Sequence, residues 1–520
     1  KLANNGELSK ETQQSHAAFY ADFLEQHDVD MGSSRQAAAL LAMDPEAENF
    51  RVAWEWAIKN EYLDLLQRML SGLDGYYRGR RRLHTGNAAL QFAAEKVESM
   101  VATFSPSPTW LRLLADLYRL RAFYAWMVIA GSQSEHLLHA NLDLLLQLET
   151  TGENVDRDRA YSLRALGLIT SQRDRARSRR YYEQSLALYS SLNDTEGLVH
   201  VTAFLADLAW NIGDYNIARR LLERGLKIQQ NLNDPEPRAS LLNLLGIVAL
   251  HQGHVDEAES HQSEALAVAQ SIGYQGRHEM FHLGVTLVWS GRFDEGRELL
   301  LERIHRDDGD GMPGALAAAY VGLGEALLHQ GDYAQSRTYV QKGLEIANVH
   351  KSPRLMGDTL RLLGQVAFVE GQDDEAHAAL QESVAALRSI EQRGSLGWSL
   401  ACLSYVAYGR GDRISAEQYL VEALQIAHDT GAFFPCLVAF PMYALFQLDD
   451  RKIKRAVEIY TLAAYFPFVA NSKWFDDVAG HHVTAASTLA SVRRVGHVDQ
   501  DEYQRMLGET AACIIAELNG

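Results

Sequence analysis

The chain has 520 residues, 47% of them hydrophobic, with 49 basic against 67 acidic side chains and a net charge of −18. That balance repels a polyanion such as nucleic acid unless charge is locally reversed. No stretch approaches the roughly 18 apolar residues of a membrane span, and three scattered cysteines, Cys402, Cys436 and Cys513, exclude a disulfide framework or a cysteine zinc site.

Residues 1–95 carry two helical patterns. The first runs from His16 through Phe19-Tyr20 to Leu24, and the second from Asp44-Pro45-Glu46 to Ala57. Asp44 before Pro45, with acidic residues in the first turn, is a strong helix start. Arg78, Arg80, Arg81 and Arg82 follow in a Tyr-Tyr-Arg-Gly-Arg-Arg-Arg run, and Arg173, Arg175, Arg177, Arg179 and Arg180 form a second basic cluster. Such clusters serve as solvated helix faces or turns. Read more sharply, the Arg78 to Arg82 run is a docking site for an acidic partner domain or a phosphate group.

From residue 205 one signature recurs, a Leu and a small residue, a Gly seven positions on and a small residue five further. The triplets are Ala206/Gly213/Ala218, Gly246/Gly253/Ala258, Gly284/Gly291/Gly296, Gly324/Gly331/Ser336, Gly364/Gly371/Ala376 and Ser404/Gly411/Ala416, with turn glycines 40, 38, 40, 40 and 40 residues apart. Small residues let two antiparallel helices approach closely, and the glycine supplies the backbone angles of a tight turn. An apolar residue eight positions past the third mark (Leu226, Leu266, Ile304, Leu344, Val384, Leu424) is expected to give a core contact. Weaker copies appear upstream at Leu166-Gly167, Ser178 and Leu186, with Gly131 as a possible start before them, and downstream at Tyr443-Ala444, Arg451 and Ala456.

A fixed period means stacked units that bury a continuous core only together. With small residues in the same relative places, the pattern resembles the tetratricopeptide repeat, whose period is about 34 residues. The expected fold is an all-α, right-handed superhelical solenoid of about eight or nine tetratricopeptide-like helical hairpins with a 40-residue period. It would occupy residues 96–470, between a helical linker over 1–95 and a helical C-terminal cap over 471–520.

The flanks resemble a more particular arrangement. In signal-transduction ATPases with numerous domains (STAND proteins), a His-x-x-Phe/Tyr-Tyr helix and a Glu-x-x-Asn-Phe/Leu-Arg-x-Ala-x-x-Trp-Ala helix link the winged-helix module to a tetratricopeptide sensor. The second is matched at Glu46, Asn49, Phe50, Arg51, Ala53, Trp56 and Ala57. The closing Glu502-Tyr503-x-x-Met506-Leu507-Gly508 stretch is similar to the terminal cap of those proteins. No Gly-x-x-x-x-Gly-Lys-Ser/Thr phosphate loop is present. The resemblance therefore implies an ATPase switch upstream of Lys1 and a monomeric sensor fragment that regulates it, while the three scattered cysteines point to a reducing cytoplasm.

Carried over from tetratricopeptide arrays, which the repeats resemble, the concave register gives His200, Asp207, Trp210 and Asn211 in one repeat and Asn243 and His251 in the next. It then gives His278, Phe281 and Trp289, followed by Glu325 and His329, by Asp358, Arg361 and Gln365, and by Trp398, Tyr405 and Tyr408. Aromatic anchors mixed with hydrogen-bonding groups suit recognition of a protein, peptide or small-molecule trigger. The polar members are expected to be exposed, and the aromatics either line the groove or fill contacts between hairpins. Grouped histidines also allow pH-sensitive binding.

His278-Glu279-Met280-Phe281-His282 matches the His-Glu-x-x-His of zinc metallohydrolases, with Glu298 or Glu302 as conceivable third ligand. It falls inside the repeat register, two residues before Gly284, so zinc hydrolysis stands only as a minor alternative to a non-catalytic sensor without cofactor or metal. A free-standing peptide-binding regulator is the other alternative.

Overall fold

The computed structural model describes residues 6–31, 35–103, 107–128, 131–171, 173–230, 232, 235–272, 275–306, 313–487 and 499–519. Lys1 and residues 488–498 of the expected cap lie outside them. Every regular element among the described residues is helical, and no helix there is long and apolar enough to cross a membrane. Packing divides the chain into residues 1–201 and 202–520, a cut that falls inside the helix Thr195–Asn211.

In the first unit, Asp44-Pro45-Glu46 forms a short 3-10 turn that leads into the helix Ala47–Lys59. Phe50, Ala53, Trp54 and Ala57 are buried on one face of that helix, at the three- and four-residue spacing of an amphipathic element. Glu46 accepts hydrogen bonds from the Tyr20 hydroxyl and from Asn49 Nδ2, the latter at 2.7 Å. The two linker motifs of the sequence therefore meet side chain to side chain. Further along, Ser178 Oγ donates to the Gly167 carbonyl at 2.6 Å, so the small residues of the upstream copy face each other.

The second unit stacks helical hairpins, among them Glu236–His251 with Val255–Ser271, Arg277–Trp289 with Phe293–His305, and Pro313–Gln330 with Tyr333–His350. Pro353–Val369 with Asp373–Ser389, Arg393–Gly409 with Arg413–Thr430, and Phe433–Asp449 with Ile453–Ala463 continue the array. Each turn glycine has the left-handed backbone its role demands, with φ of +88° at Gly213, +84° at Gly253, +81° at Gly291, +86° at Gly331, +74° at Gly371 and +79° at Gly411. Where the step continues without glycine, Arg451 takes the same conformation at φ +60°.

Helix approach at the small marks is equally tight. A Cβ at Gly364 would come within 2.5 Å of Leu380 Cγ. The expected core position eight past the third mark is buried at Val384 and Leu424 but only half-buried at Leu226, Leu266, Ile304 and Leu344. The deeper position is one residue earlier, at Gly225, Ala265, Arg303, Gly343, Ser383 and Ala423. At four of the six repeats the burial is thus deepest one residue earlier than expected, the position that faces the first helices of its own and the next hairpin, as Ser383 Oγ does at the Gly357 carbonyl and Ser399.

The C-terminal segment does not extend the stack. Short helices Pro467–Ala470 and Lys473–Phe475 lie against the inner side of earlier hairpins, with Phe468, Trp474 and Phe475 buried. Asn471 Nδ2 donates to the Gly291 carbonyl at 3.3 Å, and a Cβ at Gly291 would lie 2.5 Å from the Pro467 carbonyl carbon. The last helix, Gln500–Asn519, buries Tyr503, Leu507, Ala511 and Ile514, so the Tyr503 and Leu507 of the cap motif are its packing face. From that helix Gln504 Nε2 reaches the Gln252 carbonyl at 2.7 Å.

Candidate functional site

The inner surface of the second unit has two contrasting stretches. In the first, the C-terminal segment covers the first helices of the Tyr333 and Arg413 hairpins, Pro313–Gln330 and Arg393–Gly409. His329 Nδ1 lies 2.7 Å from Ser472 Oγ, and its ring packs between Phe293 at 5.2 Å and Phe468 at 4.5 Å. Burial, with Arg361 adding to it, lowers the His329 pKa to about 3, so the imidazole is neutral.

Beside it is a closed polar network. Arg361 Nη2 donates to Glu325 Oε1 at 3.1 Å, Arg361 Nη1 to Gln365 Oε1 at 2.8 Å, and Trp289 Nε1 to Glu325 Oε2 at 3.1 Å. The Arg361 guanidinium lies 4.4 Å over the Trp398 ring, which stacks on Phe434 at 5.7 Å. Tyr405 donates to the Val438 carbonyl at 2.9 Å and packs on Trp474 at 5.5 Å. The expectation of exposed polar groups fails here: Glu325, His329, Arg361, Gln365, Trp398 and Tyr405 are all buried by the chain itself.

The second stretch stays open. His278 is exposed, and Phe281, His282, Trp289, His251 and Arg354 are half-buried. Asn243, buried beneath them, places its amide 3.1 Å from His278 Nδ1, and His278 Nε2 lies 3.3 Å from His282 Nε2. His251 packs at 5.5 Å from both Trp210 and Trp289 and stacks on Tyr215 at 5.6 Å. The Arg354 guanidinium covers the buried Trp210 ring at 4.3 Å. Burial lowers the pKa of His251, to about 3, and that of His282, and the Arg354 charge depresses both further.

The remaining groove positions stand apart from both stretches. His200 lies on the first-unit side of the boundary and is half-buried. Asn211 Nδ2 turns back to the Asp207 carbonyl at 2.7 Å, and Asp358 is half-buried one turn along from Arg354. Tyr408 borders a separate hollow lined by Phe368, Leu445, Leu448, Asp449 and His482.

In the arginine run, Arg80 is engaged with Asp44 at 2.6 Å, Arg78 with Asp74 at 2.5 Å, and Arg82 with the Tyr76 ring at 5.6 Å. Arg81, in the turn at φ +51°, remains exposed. As for zinc, His278 and His282 do share a helix face, but Glu298 and Glu302 are exposed and Glu302 pairs with Arg306 at 2.5 Å. Among the described residues no three His, Cys, Asp or Glu side chains are grouped so as to hold a metal ion.

Sequence reasoning missed Arg354, which lies one turn ahead of the positions that the register assigns to the concave face. It assigned His282 to a metal motif alone. The residues that seal the other stretch follow the last repeat and carry no repeat register. Their one signal is the aromatic density of Phe466-Pro467-Phe468 and Trp474-Phe475.

The family model for the tetratricopeptide repeat matches residues 198–271 and 315–389. No curated protein sequence matches the chain. Among similar solved structures, a Rap protein complexed with competence and sporulation factor is 14% identical, covering 76% of this chain and 98% of its own with a TM-score of 0.41. Aspartyl phosphate phosphatase F from Bacillus subtilis is 12% identical over 68% of this chain and 92% of its own, with a TM-score of 0.45. A STAND protein with a tetratricopeptide-repeat sensor from Pyrococcus horikoshii is 12% identical over 83% of this chain and 55% of its own, with a TM-score of 0.38. The chain thus carries tetratricopeptide repeats in the two matched segments, within an all-α solenoid of like hairpins.

Proposed function

We propose that this chain is a non-catalytic sensor that binds a protein, peptide or small-molecule trigger on the open stretch of its inner surface, and that occupancy regulates an ATPase switch in the same polypeptide. The observation that carries the binding part is the contrast on the inner surface. One stretch is covered by residues 466–475, whereas His278, Phe281, His282 and Trp289 remain accessible beside a buried polar floor at Asn243. Aromatic rings next to hydrogen-bonding groups are the composition of a recognition surface. The ATPase part rests on the likeness of the Glu46 to Ala57 helix to the linker of STAND proteins.

The test is native mass spectrometry of the protein from its own host, followed by calorimetry with whatever co-purifies, on wild type and on a His278→Ala plus Phe281→Ala variant. A ligand held by the wild type and lost from the variant, with both proteins equally folded, supports the reading. Equal binding by both would remove the open stretch as the site. Regulation is read as a ligand-dependent change in nucleotide hydrolysis by the longer polypeptide, and an unchanged rate with the site saturated would sink that part.

A further inference from the structure

Arg354 has an unusual position for an arginine in this protein. Several arginines of the second unit that reach toward neighbouring hairpins end on carboxylates, as Arg219 does on Glu257, Arg337 on Glu370 and Glu375, and Arg410 on Asp374. Arg354, half-buried on the inner surface, lies instead over the face of Trp210. Among the described residues no carboxylate lies within ion-pair distance of it, Asp358 one turn along the same helix included. A partly desolvated guanidinium retains its charge and seeks planar oxyanions, which it grips with two parallel N–H groups.

The histidines beside it present a matching donor. With the Asn243 amide donating to His278 Nδ1, the proton of His278 is on Nε2 and is given to His282 Nε2. That relay fixes the second imidazole as the tautomer with its proton on Nδ1. This N–H has no acceptor among the described residues. The charge that acts on both His282 and His251 is that of Arg354, while Glu279 acts on His278 and Glu325 is neutralised within its own pair with Arg361. A cationic anchor and an oriented donor on one open aromatic surface are complementary to a negatively charged oxygen group.

We propose that the open stretch binds the oxyanion group, carboxylate or phosphate, of a small ligand, with Arg354 as its charged anchor and His282 as its hydrogen-bond donor. This rests on the reading of the open stretch as the ligand site and names the chemistry it takes. The imidazoles contribute as neutral donors, so binding does not require acid.

The experiment is a titration of protein labelled with carbon-13 in its histidine rings, using inorganic phosphate in one series and acetate in another at ionic strength matched with chloride. His282 is assigned from a His282→Gln variant. The expected result is a saturable shift of the His282 resonance with at least one of the two anions, weakened at least tenfold in Arg354→Gln and retained in part in Arg354→Lys. A response to phosphate alone, or to acetate alone, identifies the source of the oxyanion. No saturable shift with either, or the same titration in Arg354→Gln, would overturn the proposal. If a ligand dependent on His278 and Phe281 binds Arg354→Gln as tightly as wild type, the oxyanion assignment falls while the sensor reading stands.

Discussion

The two stretches of the inner surface come from the same helical register and end in opposite states. Around Glu325, Arg361 and His329 the chain returns on itself and converts a groove into a core, whereas around His278 and Phe281 the same register stays open. A register position on the first helix of a hairpin therefore says which way a side chain points. It does not say what arrives opposite it.

The contrast is broken most severely at the buried ion pair. Arg361→Ala leaves the Glu325 carboxylate buried and unpaired, a loss of about 3–5 kcal/mol that denaturant unfolding of the whole protein should show. Replacing both partners by apolar residues of like volume should recover most of it. If the single substitution proves neutral, the first stretch is not a sealed core.

Acid gives the next largest effect. An unfolded histidine titrates near ~6.5, while His329 in the folded protein stays neutral down to about 3. Below pH 6.5 the unfolded chain takes up a proton that the folded chain refuses. The stability due to the neutral ring is complete above that pH and falls as pH is lowered toward 3, by up to about 1.4 kcal/mol per pH unit. His329→Gln should flatten the stability curve between pH 6 and pH 4, and an unchanged slope would mean that the ring is not shielded.

Two turn glycines sharpen the contrast further. Gly371 and Gly291 share a left-handed backbone, but a Cβ at Gly371 meets nothing within 4 Å while one at Gly291 meets Pro467. Gly371→Ala should cost roughly 1–2 kcal/mol from backbone strain alone, and Gly291→Ala clearly more, because the covering segment must shift. Equal melting temperatures for the two would argue that residues 466–475 are not seated on that turn.

The smallest effect on stability is expected at the open stretch. His278→Ala plus Phe281→Ala should change unfolding free energy by less than about 1 kcal/mol, as for surface sites generally. A cooperative loss several times larger would place these rings in the core.

The sequence made the hairpins legible because glycine and its small neighbours answer to local geometry. The left-handed angles at Gly213 through Gly411, and at Arg451 where glycine is absent, follow the 40-residue step. The site was less legible for a physical reason. His329 and Tyr405 owe their burial to Ser472 and Trp474, whose positions depend on a chain reversal after the last repeat that leaves no periodic trace. Arg354 escaped notice because an unpaired arginine is defined by what fails to approach it.

The hydrogen bond from Gln504 to the Gln252 carbonyl, across 252 residues of chain, bears on how the protein folds. In an ordinary repeat array each unit touches only its neighbours, folding can nucleate anywhere and ends can fray independently. Here contacts of very long sequence separation join the final helix to an early turn, and such contacts slow folding while they bind distant units into one cooperative transition. The second unit should thus gain its last increment of order only once the helix Gln500–Asn519 is available to dock on the Gln252 turn.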